Sequence, residues 1–128
     1  MQAAFPTHEE AGKLLERLVA LYNDGVRRRD FLDYVDAFTD DAAIDFEGVP
    51  ERGPLQGKTA ILERYRDDLP DDEIRVTRWK YDGGRIYAQF VWKDIPEARG
   101  GTLVIVPRGD RIACLTVAFG GPLCRWTK

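Results

Sequence analysis

Few residues in this chain are able to do chemistry. His8 is the single histidine and lies in the N-terminal stretch, which excludes most histidine-based metal sites and catalytic triads. Cys114 and Cys124 are the two cysteines. They are too few for a disulfide framework and fit a reducing compartment. Neither has a second ligand at metal-binding spacing, so no metal site and no cofactor are expected. What remains are phenols and carboxylates. Tyr22 reads as a hydrogen-bond donor, an orienting or acid group, because a buried phenol seeks a partner. Asp45 is the candidate base, provided the short strand that holds it slips by one residue and turns each side chain over. Its other reading is a solvated carboxylate on an edge strand. Asp33, Asp36 and Asp40 read as an ordinary wet face, and Arg27-Arg28-Arg29 beside Asp30 as a solvated connection. Arg108-Gly109-Asp110 has the chemistry of a hairpin turn.

These side chains must be held by a folded scaffold, and the composition supports one. The chain has 128 residues, 44% of them hydrophobic, with 19 basic and 22 acidic side chains for a net charge of −3. That length suits a single domain over residues 1–128, and the hydrophobic fraction argues against disorder. The absence of a basic footprint makes nucleic acid an unfavourable partner. No apolar run approaches the ~20 residues of a membrane span. The first residues lack the charged start and apolar stretch of a secretory signal. A cytoplasmic protein is expected.

The elements follow from periodicity. Thr7 and Glu10 have capping-box spacing, and Ala11, Leu14, Leu15, Leu18, Val19 and Tyr22 recur at helical spacing. The pattern predicts a helix to about Tyr22, stopped by Asn23-Asp24-Gly25. Asp30 is read as the cap of a second helix with Phe31, Tyr34, Val35 and Phe38 on one face, closed by Thr39-Asp40-Asp41. Ala42 to Phe46 reads as a short strand, Glu47 to Gly57 as a loop, and Lys58 to Leu69 as a third helix. The period then changes to that of strands: Ile74–Tyr81, Arg85–Lys93, Gly101–Val106 and Arg111–Phe119. Turns are expected at Asp82-Gly83-Gly84, Pro96 to Gly101 and Pro107 to Asp110. Helices followed by a meander define an α+β domain. Leu103–Val106 and Cys114–Phe119 alternate little between apolar and polar, so both sheet faces are expected to be covered. Three helices cover one face, and a homodimer is expected to cover the other. Trp79, Tyr81, Tyr87 and Trp92 are read as that dimer face.

This order of elements resembles the nuclear transport factor 2-like superfamily, also called SnoaL-like. The resemblance is carried by Asp36-Ala37-Phe38-Thr39-Asp40-Asp41-Ala42-Ala43-Ile44-Asp45-Phe46, by Gly57-Lys58-Thr59-Ala60-Ile61 and by the closing strand Arg111–Phe119. It implies a cone of three N-terminal helices on a curved antiparallel sheet, often dimeric, around an apolar cavity. In the family's ketosteroid isomerases the base, the oxyanion-hole tyrosine and the protonated aspartate fall at Phe46, Leu18 and about Thr102 of this chain. All three positions are changed. The Tyr-Asp pair of scytalone dehydratase falls at Tyr22-Asn23, keeping the phenol and losing the acid. The acid–arginine–acid group of limonene epoxide hydrolase is also not intact, its last Asp falling near Val117. The same frame gives a ligand-binding lining of Leu18, Tyr22, Asn23, Val35, Phe46, Phe90, Thr102, Val104, Leu115, Val117 and Phe119, with Ile86 and Ala88 beside them. The expected function is binding of a hydrophobic small molecule of polyketide, terpenoid or steroid type. A cofactor-free isomerase, cyclase or hydrolase stands against a non-catalytic binding or structural dimer that has lost the family's acids.

Overall fold

The computed structural model describes residues 6–47, 54–67, 69–70, 72–94 and 99–119. Their elements are α1 (His8–Arg28), α2 (Leu32–Asp36), β1 (Phe38–Glu47), β2 (Leu55–Gln56), α3 (Lys58–Asp67), β3 (Ile74–Asp82), β4 (Arg85–Trp92), β5 (Arg99–Arg108) and β6 (Arg111–Phe119). Three helices pack on one six-stranded sheet of order β2-β1-β6-β5-β4-β3.

Helix α1 starts where its sequence dictates. Thr7 Oγ1 accepts from the Glu10 N–H at 3.1 Å and Glu10 Oε1 accepts from the Thr7 N–H at 2.9 Å, a reciprocal cap that satisfies two otherwise orphaned donors. Its end corrects the sequence reading. The helix runs through Asn23-Asp24-Gly25 to Arg28, and Arg29 takes the left-handed conformation at φ 57°. Gly25 serves close packing instead of a stop: a Cβ there would sit 2.6 Å from Phe31 Cδ1. The helix-propensity cost of glycine, about 1 kcal/mol, is offset by that packing. The N-cap of the short α2 is Phe31, which makes no side-chain capping bond, and not the expected Asp30, whose carboxylate accepts from the Leu32 N–H at 3.1 Å. Thr39-Asp40-Asp41 belongs to β1, which therefore begins four residues ahead of the expected strand.

The four late strands form as their periodicity predicts. β3 and β4 turn at Gly83 and Gly84, both at positive φ, where the twist of a tight hairpin favours glycine. β5 and β6 turn at Gly109-Asp110. The expected turn at Pro96 to Gly101 and the loop after Glu47 lie largely outside the described residues. The sheet itself corrects the antiparallel expectation. β1 pairs parallel with β6, Ile44 opposite Leu115 and Phe46 opposite Val117. β1 is delivered by the helices and not by a hairpin, so nothing forces it to reverse against its neighbour. The sheet is mixed.

Register decides which side chains meet the helices. Ile44, Phe46, Ile86, Ala88, Phe90, Leu103, Ile105, Leu115 and Val117 share the core with Leu14, Leu15, Leu18, Phe31, Tyr34, Val35, Ile61 and Tyr65. Alternation along a strand then sends Thr102, Val104, Thr116 and Asp45 to the opposite, outer face. Val104 pairs with Tyr87 and Thr116, and Thr116 with Asp45. Trp79, Tyr81 and Trp92 lie on the helix side, not on a dimer face. Trp79 stacks on His8 at 4.9 Å, Tyr81 Oη donates to the Pro6 carbonyl at 2.8 Å, and Trp92 packs edge-on to Phe90. Only Tyr87 of the four faces outward.

Candidate functional site

A pair of phenols meets inside the helix–sheet core. Tyr34 comes from α2 and Tyr65 from α3, and their hydroxyls meet at 3.1 Å. Both residues are buried, 3% and 6% exposed. The sequence places them there through helical spacing: Tyr34 follows Phe31 by three residues and Tyr65 follows Ile61 by four, putting each on an inward stripe. Four other rings frame Tyr34: Tyr65 at 5.1 Å, Phe38 at 5.3 Å, Phe31 at 5.7 Å and Tyr22 at 5.8 Å between centroids. This apolar wall has an electrostatic consequence. Burial pushes the Tyr34 phenol well above its ordinary value, and the neighbouring Tyr65 adds to the shift. Tyr34 is therefore held neutral, and either hydroxyl of the pair can donate to the other.

Tyr22 and Asn23 serve a neighbouring contact. The Tyr22 hydroxyl donates to the Asp72 carbonyl at 3.2 Å. The Asn23 amide donates to the Ile74 carbonyl and accepts from the Ile74 N–H, both at 2.9 Å. Both side chains thus hold the end of α1 to the start of β3. Asp72 brings a carboxylate to this place with Oδ1 shielded from solvent. Just outside, Glu73 receives Arg27 at 2.8 Å and Lys93 at 3.3 Å.

The remaining sequence candidates divide by face. Leu18, Val35, Phe46, Phe90, Leu115 and Val117 are buried in the core. Phe119 stands opposite Gly101 on β6. Thr102 and Val104 are buried too, but on the outer face, which corrects their assignment to the helix-side lining. Two neighbouring residues of β5 cannot join Leu103 and Ile105 on one side of a pleated strand. Asp45 is exposed and also outward, opposite Thr116, so it stands across the sheet from Tyr22 and the phenol pair. Among the described residues no Asp or Glu belongs to the buried core. No group of three metal-ligating side chains occurs among them, and no helix is long and apolar enough to cross a membrane.

Tyr34 and Tyr65 were not separable from the apolar stripe by sequence. The available signal was chemical: a tyrosine at a core-facing helical position must find a partner for its hydroxyl. Two such tyrosines on separate helices were the clue, and only their packing shows that each is the partner of the other.

Comparison with known proteins defines the class. No family model and no curated protein matches the chain. Solved structures do. An NTF-2 like protein of unknown function from Burkholderia xenovorans superposes with a TM-score of 0.63 at 13% identity, covering 91% of this chain and 95% of its own. An LEH-like epoxide hydrolase from Mycobacterium tuberculosis gives 0.63 at 17% identity, covering 89% and 85%. A de novo designed protein with a curved β-sheet gives 0.62 at 14% identity, covering 89% and 88%. The chain has the nuclear transport factor 2-like, or SnoaL-like, fold. At these identities the likeness is one of architecture, and a designed protein among the matches shows how little chemistry the architecture carries by itself.

Proposed function

We propose that this protein binds a hydrophobic small molecule between its helices and its sheet, oriented by the phenols of Tyr34 and Tyr65. The observation that carries the reading is their 3.1 Å hydroxyl contact inside an apolar aromatic cluster. A phenol pair has two O–H hydrogens and several lone pairs, of which one mutual bond uses one hydrogen. The pair can exchange that bond for one to a carbonyl or hydroxyl on a flat, apolar ligand. Rings of Phe31, Phe38 and Tyr22 offer the faces against which such a ligand stacks. Polyketide, terpenoid and steroid skeletons have this chemistry.

Binding is favoured over catalysis by a specific observation. Enolisation, cyclisation and epoxide opening each need a base or acid beside the donor, and Asp45, the candidate base, is exposed on the other face. The phenols alone supply donors. An isomerase, cyclase or hydrolase of the same ligand class is the second reading, with Asp72, whose backbone carbonyl accepts from Tyr22, as the carboxylate to test. We further propose a homodimer through the outer face of the sheet. A cytoplasmic setting agrees with the low cysteine count.

Titration of intrinsic tryptophan fluorescence against a panel of steroids, terpenoids and aromatic polyketides tests this. Trp79 and Trp92 pack against the core and report on it. Saturable binding of an oxygen-bearing ligand is expected, weakened about tenfold by Tyr65→Phe, the value of one lost hydrogen bond. Its deoxygenated analogue is expected to bind wild type and variant alike. No saturable response across the panel overturns the proposal.

A further inference from the structure

The centre of the outer sheet face is shielded from water by something other than the helices. Thr102, Ala118 and Val104 are 0%, 5% and 6% exposed, yet none of them belongs to the core cluster that the three helices share with the sheet. Their strand neighbours do not shield them. Register sets Thr102 between Gln89 and Ala118, and Ala118 between Thr102 and the exposed Glu47. A methyl group rises too little above a pleated sheet to hide the residue beside it. An alanine in such a row is wet unless a further layer lies on it. Nor are the surroundings vacant: Arg78, Lys80, Tyr87 and Thr102 all have partners.

Four longer stretches lie outside the described residues: 1–5, 48–53, 95–98 and 120–128. The first leads into Pro6, whose carbonyl is held by Tyr81 on the helix side. The second joins β1 to β2, on the far side of β1 from Ala118. The third joins β4 to β5 with four residues, of which Ile95 is the one large apolar side chain. The fourth continues β6 directly, one residue after Ala118. It begins Gly120-Gly121-Pro122, a turn signal, and goes on to Leu123 and Trp126, three residues apart. An extended residue spans ~3.3 Å and neighbouring strands lie ~4.8 Å apart, so about three residues beyond the turn cross β5 and reach β4.

We propose that residues 120–128 fold back across the outer face and seat Leu123 and Trp126 over Thr102, Val104 and Ala118, so that the chain supplies its own cover for this side of the sheet. Continuity with β6 and the two apolar anchors choose this occupant. The inference is independent of the ligand. It concerns contacts within one chain, so it holds whether or not a second copy, as in the homodimer proposed above, packs on the covered face.

Thiol reactivity in the full chain tests the proposal, because Cys124 lies between the two anchors. Cys114→Ala leaves Cys124 as the single thiol, titrated with a chromogenic disulfide. In the native chain it is expected to react about tenfold or more slowly than in urea, since a docked segment exposes its thiol only on opening. Leu123→Asp with Trp126→Asp is expected to bring the rate to within about threefold of the unfolded chain. Ala118→Lys, a change on the face and outside the segment, is expected to speed the reaction about fivefold by obstructing the seat. Should that variant fail to fold by near-ultraviolet circular dichroism, Thr116→Lys on the same face takes its place. The protection is expected to be equal at ~1 and ~50 µM protein, as a contact within one chain obeys no mass action. Protection that appears only at the higher concentration overturns the proposal and leaves the homodimer standing. A native rate equal to the rate in urea overturns it too. Protection indifferent to the face substitution shows that the segment packs elsewhere, and likewise overturns it.

Discussion

The side chain of Asn23 acts toward Ile74 as a neighbouring strand would. Its amide nitrogen donates to the Ile74 carbonyl and its amide oxygen accepts from the Ile74 N–H, each at 2.9 Å. β3 is an edge strand, and its first residue would otherwise present unpaired backbone groups beside the helix. One helical amide closes that gap and fixes where β3 begins, 51 residues along the chain from Asn23.

Asn23→Ala is therefore expected to cost about 2 kcal/mol, because two half-buried backbone groups lose their partners at once. Asn23→Asp keeps the acceptor but meets the Ile74 carbonyl with a negative charge, and is expected to be no better at neutral pH. Urea unfolding followed by circular dichroism measures both. A loss below about 0.5 kcal/mol for the alanine variant refutes the strand-like role.

Gly25→Ala sets two effects against each other. Alanine gains up to about 1 kcal/mol of helix propensity. The new Cβ, though, lies 2.6 Å from Phe31 Cδ1 and 3.1 Å from the Asp30 carbonyl, and overpacking costs about 1–3 kcal/mol. The expected outcome is a lower melting temperature. A rise would show that Phe31 moves aside easily and that the close approach has little structural weight.

Removing either phenol of the buried pair breaks their 3.1 Å hydrogen bond. Tyr34→Phe and Tyr65→Phe are each expected to destabilise by about 1–2 kcal/mol. The double variant is expected to cost about 1 kcal/mol less than the sum, since the two hydroxyls share one hydrogen bond that either substitution removes. Strict additivity in a double-mutant cycle would mean that the 3.1 Å contact contributes nothing.

The same pair predicts an alkaline limit. Burial, with Tyr65 adding to it, raises the folded-state value of Tyr34 well above its ordinary one. Below the unfolded value of about 10 the phenol is neutral in both states and the stability it supports is fully present. As pH rises above 10 the unfolded chain loses this proton first, so stability falls with pH until the folded value is passed. Urea midpoints measured from pH 8 to 11.5 are expected to decline above pH 10, and to decline less steeply in Tyr34→Phe. An equal slope in both proteins would remove Tyr34 from the account.

Much of this architecture was legible from residue order. The Thr7–Glu10 cap, the Asp82-Gly83-Gly84 hairpin and the late strands were each set by interactions between residues near in sequence, and all formed where local chemistry put them. Errors arose where a distant contact outweighed a local preference. Asn23-Asp24-Gly25 looks like a helix stop, yet Asn23 is bonded to β3 and Gly25 is packed on Phe31. Thr102 and Val104 were assigned to the wrong face because a strand with apolar residues on both sides gives no alternation from which to read its orientation.

By itself the amino-acid sequence determined an α+β chain with amphipathic helices ahead of a meandering sheet, since period and turn chemistry are written within a few residues of one another. The tertiary structure alone decided that β1 runs parallel to β6, that Tyr34 meets Tyr65, and that Thr102 and Val104 lie on the sheet face away from the helices. These relationships join residues from 31 to more than 60 positions apart. Their geometry depends on helix packing and on strand register across the whole sheet, quantities that no local window of sequence contains.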